Sequence, residues 1–90
     1  MRSAILDAIR NEYSRPVVFL VHELMVGEDW AWAAVTGTID GRPEYEGDGY
    51  VLHRVGGAWK VVDSVNASDP SVVEQRYREL RDQFPKAPIP

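Results

Sequence analysis

Apolar residues first recur at helical spacing. Ile5, Leu6, Ile9 and Tyr13 share one face of a short helix, while Arg2, Asp7, Arg10 and Glu12 stay toward water. Ser3 is the expected N-cap, and the helix is expected to run to about Tyr13. So short a helix is not stable alone and must dock on the rest of the chain. Ser14-Arg15-Pro16 ends it, because proline disfavours a helical residue before it.

The pattern then changes to that of strands. Val17–Leu24 and the second half of Trp30–Ile39 are rich in β-branched residues, with Gly27-Glu28-Asp29 as the turn between them. Tyr50–Val55 and Ala58–Val65 flank Gly56-Gly57, whose freedom at positive φ suits a two-residue hairpin. Asp40–Gly49 is expected to form a longer acidic connection between the two hairpins. Asp69-Pro70 starts a second helix, an Asp cap followed by proline at the first helical position. Val73, Tyr77, Leu80 and Phe84 make its apolar stripe, and Pro85–Pro90 reads as an extended polyproline-like tail. The predicted architecture is α+β: an N-terminal helix, a four-stranded antiparallel meander and a C-terminal helix. Residues 1–84 form a single domain and 85–90 a Pro-rich C-terminal tail.

The two sheet faces carry the functional hint. Strict alternation puts Tyr50, Leu52, Trp59, Val61 and Val65 on one buried face. Val51, Val55 and Val62 then share the other with His53, Lys60 and Ser64. The first strand is apolar on both sides, with Val17, Phe19 and Val21 opposed to Val18, Leu20 and Leu24. A strand with one wet face alternates more sharply. The second face is therefore expected to be covered as well, by the C-terminal helix, a partner chain or a ligand.

Composition narrows the partners. Ninety residues, 44% hydrophobic and 27% charged, describe one ordinary globular domain. Ten basic against fourteen acidic residues give a net charge of −4, which argues against nucleic acid or an acidic membrane surface as partner. The absence of cysteine removes disulfides, thiolate-held metals and thiol chemistry. No apolar run is long enough to cross a membrane as a helix, so no membrane insertion is expected. Met1-Arg2 leads directly into the first helix, which fits a cytoplasmic protein, or a periplasmic or exported one whose signal has been trimmed.

Candidate chemistry is sparse. His22 and His53 are the two histidines, both within strands, each either a general base or metal ligand or a structural side chain. Glu23 is expected to point away from His22, which leaves no ligand set, and neither a metal nor a cofactor is expected. Asp63 is placed with Trp59 and Val61, where a desolvated carboxyl serves acid–base chemistry, pairs with Arg54 at the sheet edge, or marks where that face emerges into solvent. Glu44, Glu46 and Asp48 suggest the start of a calcium loop, but Val55 stands where its closing Glu is needed. Asn66-Ala67-Ser68 fits a glycosylation sequon. Trp30 and Trp32 share a strand face, lining a groove or interface or filling the core beneath a helix.

Ala4–Arg10, Val17–Val21, Trp30-Ala31-Trp32-Ala33 and Gly57–Val62, taken together, resemble small uncharacterised bacterial proteins, often exported, with a cystatin-like or nuclear-transport-factor-2-like α+β fold. That resemblance implies no particular activity and carries over no catalytic residues. The expected function is a non-enzymatic binding or assembly module that self-associates, as a homodimer, through a sheet face. Trp30, Trp32, Leu20, Leu24 and Val62 supply its apolar contacts, with His53 and Lys60 nearer a polar rim. One alternative is a small enzyme or small-molecule binder with a pocket between helix and sheet, using His22, His53 or Asp63 as its polar handle. Another is an inhibitor or immunity-type protein that binds a different protein.

Overall fold

The computed structural model describes residues 2–43, 48–66 and 69–90. Helix α1 (Arg2–Arg10) is followed by strands β1 (Val18–Gly27), β2 (Trp30–Ile39), β3 (Arg42–Pro43), β4 (Asp48–Val55) and β5 (Ala58–Asn66), then helix α2 (Pro70–Gln83). The long strands form an antiparallel meander in the order β1-β2-β4-β5, and the short β3 pairs with β2. The α+β architecture read from the sequence is thus present.

The two helices lie on opposite faces of the sheet. On the first face, Ile5 and Ile9 of α1 pack over Ala31, Ala33, Val35, Tyr50 and Leu52. The small Ala31 and Ala33 side chains let the helix approach closely. On the second face, Leu80 of α2 packs with Trp32, Val51 and Val65. A fully buried aliphatic side chain such as Ile5, Leu52 or Leu80 contributes about 1.5–3 kcal/mol. With both faces used, β2 carries buried residues on both sides, whereas β1 alternates between exposed and half-buried positions, shifted at His22/Glu23.

Helix ends follow local chemistry. Asp69 caps α2 by accepting from the Ser71 N–H at 2.9 Å and the Ser71 hydroxyl at 2.8 Å. Helix α1 is shorter than its apolar pattern, because the N–H groups of Glu12 and Tyr13 bond three residues back and tighten the chain into turns. Ser3 lies inside its first turn rather than at its cap. Tyr13 still reaches the core, edge-on to Phe19, with its hydroxyl 3.1 Å from that of Tyr50.

Asp40 and Gly41, at φ of 53° and 75°, make a tight turn that pairs Ile39 with Arg42. The expected single long loop therefore begins with a hairpin of its own. The acidic residues Glu44 and Glu46, the Asp48 side chain and the sequon at 66–68 lie outside what the structure describes. Past α2 the chain does not extend freely. The Ala87 N–H bonds the Phe84 carbonyl, and Ala87 and Ile89 pack onto the second face.

Two β-bulges overturn the face assignments made from strict alternation. In β1, Val21 pairs with Val35 but Glu23 pairs with Ala34, so His22 is the extra residue. Leu24 is thereby turned onto the α1 face, away from Leu20, while Glu23 joins His22 on the α2 face. In β5, Val51 pairs with Asp63 but Leu52 pairs with Val61, leaving Val62 extra. Asp63 and Val65 therefore face α2 rather than sharing a face with Trp59, and Ser64 joins Tyr50 on the α1 side.

Candidate functional site

Helix α2 packs against β5, and with the tail it covers β4, β5 and the Trp-bearing half of β2. The outer strand β1 is left open on that side. Val18 is 72% exposed, Leu20 63% and Met25 44%, each standing beside an α2-facing residue of β2: Thr38, Thr36 and Trp32. His22 and Glu23 sit between Leu20 and Met25 on the same surface.

The other expected contact residues are dispersed. Trp32 is fully buried beneath Tyr77, whose ring meets it edge-on at 5.3 Å. Trp30 is sandwiched: His53 stacks on it at 4.0 Å and 12°, and Phe84 closes in at 5.6 Å. Lys60 is the cross-strand neighbour of His53, and Val62 is exposed on β5, at the far edge of the sheet from Leu20. Leu24 faces α1. The seven expected contact residues therefore do not make one patch; of them, Leu20 alone belongs to the open surface on β1.

His22 and His53 share a sheet face but not a site, being on β1 and β4 with β2 between them. Among the described residues no cluster of three or more His, Asp or Glu side chains is placed to hold a metal ion. Asp63 ties β5 to α2. Its carboxylate accepts from Arg76 on α2 at 3.1 Å and from the Ser64 N–H at 2.8 Å. Arg76 also donates to the Ser64 carbonyl at 3.2 Å and to Glu79 at 2.7 Å. The bond to Glu79, aided by the charges of Asp63 and Glu79, raises the guanidinium further above its already high pKa. Arg54, one of the alternative partners the sequence offers Asp63, pairs instead with Asp29 at 2.9 Å and lies over the Trp59 ring.

One cleft opens beneath α2. It has a volume of about 150 Å³, and its walls include His22, Ala34, Gly49, Val65, Val73 and Tyr77. His22 Nε2 lies 2.6 Å from the Thr36 hydroxyl, which fixes the imidazole at the cleft mouth. The Tyr77 hydroxyl is pushed above its ordinary pKa by burial, with the Glu23 charge adding to the effect. Glu23 and Tyr77 were not legible as members of a site. An unmarked bulge places Glu23 there, and Tyr77 reads in the sequence as one more apolar position of a helix stripe. No protein-family model, curated protein or solved structure matches the chain.

Proposed function

We propose that the chain is a non-enzymatic binding and assembly module that self-associates through the open α2-side surface of β1. The observation that carries this is the exposure of Val18 and Leu20 side by side, with Met25 further along the same face beyond His22 and Glu23, on an outer strand. Both outer strands are interrupted by a bulge, His22 in β1 and Val62 in β5. Bulges at sheet edges discourage open-ended strand addition. Association through the face, closed by a two-fold axis that sets the same patch against itself, is the arrangement left. The order of one helix and then a four-stranded meander, with α1 laid along one face, supports grouping the chain with the small bacterial cystatin-like or nuclear-transport-factor-2-like proteins.

Light scattering behind a sizing column tests this over a concentration series. The expected mass is that of a dimer at the upper end, falling toward the monomer on dilution. Leu20→Glu, at an exposed position that leaves the core intact, is expected to give monomer throughout. A monomeric wild type across the range overturns the proposal, as does a Leu20→Glu variant that dimerises like wild type.

A further inference from the structure

The cleft under α2 adjoins the β1 surface, with His22 common to both, and offers a different kind of site. Its volume of about 150 Å³ is that of a closed apolar cavity able to hold benzene, about 150 Å³. This cleft, however, is open on one side to solvent, which leaves room for a polar substituent to face the mouth. Ala34, Val65 and Val73 give it apolar walls, and Tyr77 is part of its lining. His22 spends Nε2 on Thr36 and keeps Nδ1 as its second hydrogen-bonding atom at the mouth. Glu23 stands close enough for its charge to be felt at Tyr77, and the whole chain carries −4. A carboxylate ligand is disfavoured by both, whereas an uncharged ring with one hydroxyl can exchange hydrogen bonds with either polar group.

We propose that this cleft, lined by His22, Ala34, Val65, Val73 and Tyr77, is a binding site for a small neutral monocyclic phenol. The ring lies between Val73 and Ala34, and the hydroxyl meets His22 or Tyr77. The site lies on the opposite face of the sheet from α1 and shares His22 with the β1 surface, so phenol binding is read at the dilute, monomeric end of the concentration range, apart from self-association.

Phenol itself is the probe, titrated into the isotope-labelled full chain and followed by two-dimensional NMR, with benzoate as the charged control. The expected result is saturable shifts centred on Ala34, Val65 and Val73, and binding of benzoate at least about tenfold weaker, the effect of one unfavourable charge interaction. Val73→Phe, on the helix wall, is expected to fill the cleft and abolish the shifts. His22→Ala is expected to weaken phenol about fivefold, in keeping with one neutral hydrogen bond. Shifts that fail to saturate, that centre elsewhere, or that survive Val73→Phe in a folded variant overturn the proposal. So does benzoate binding as tightly as phenol.

Discussion

Gly49 lies so close to the indole of Trp32 that a Cβ at position 49 would stand 2.4 Å from the ring. The indole cannot retreat, because it is fully buried between the sheet and Tyr77. The missing side chain on β4 is what makes room for the largest residue of the second core. Gly49→Ala is therefore expected to destabilise the fold by about 1–3 kcal/mol, the usual cost of overpacking a well-filled core. Urea unfolding measures it, and an unchanged midpoint contradicts the packing described.

The Asp63–Arg76 contact joins β5 to α2 from partly buried positions, whereas Glu79 meets the same guanidinium from the more exposed side. Removing the carboxylate of Asp63 leaves the Arg76 contact without its ionic partner at the sheet. Asp63→Asn is expected to cost about 1–2 kcal/mol, less than the roughly 1.5–3 kcal/mol of a whole hydrogen bond to a charged group, because the amide oxygen still accepts. Glu79→Gln is expected to cost about 0–1 kcal/mol, as exposed pairs do. Chemical denaturation of the two variants tests the order, and equal losses contradict it.

The β1 bulge brings Glu23 to the side of the sheet that Tyr77 covers. Burial is the main cause of the raised Tyr77 pKa and the Glu23 carboxylate the second. Glu23→Gln is expected to bring the Tyr77 titration part of the way back toward 10.0 and no further, since the desolvation remains. Tyrosine ring-carbon NMR across alkaline pH reads it. An unmoved Tyr77 titration means that Glu23 does not face α2.

Asp69 carries an acid dependence of known sign. The Ser71 hydroxyl, then the Ser71 N–H, hold its carboxyl below 3.8 in the folded chain. A lowered folded value means that the capping contribution is full above 3.8 and fades as pH falls through the folded pKa. Asp69→Ala is expected to lower the urea midpoint at neutral pH and to converge on wild type in strong acid. Asp69→Asn, which still caps, is expected to remove that convergence. Parallel wild-type and Asp69→Ala curves down to low pH contradict it.

Much of the architecture is written in short-range signals. Asp69-Pro70 marks a helix start and Gly56-Gly57 a hairpin, and both stand where their chemistry puts them. Asp40-Gly41 carries an equally direct turn signal, which the acidic character of the whole 40–49 stretch obscures. Alternation cannot give the face of any residue beyond a bulge. Neither His22 nor Val62 differs in type from an ordinary strand residue, yet each reverses the facing of the residues after it, so that Leu24, Asp63 and Val65 all lie on the side opposite to expectation. The candidate site suffers most, because its members are grouped by parity across those two points. The side of the sheet each helix takes is equally silent, since both strand faces are apolar enough to receive one.

Self-association through β1 is tested most directly by methyl NMR on dilution. With the methyl groups of Val18, Leu20 and Met25 labelled, their shifts are expected to move with concentration along one binding curve, while the buried Val51 stays fixed. Concentration-independent shifts at all three contradict the account, and so do changes centred on Val62 at the opposite edge.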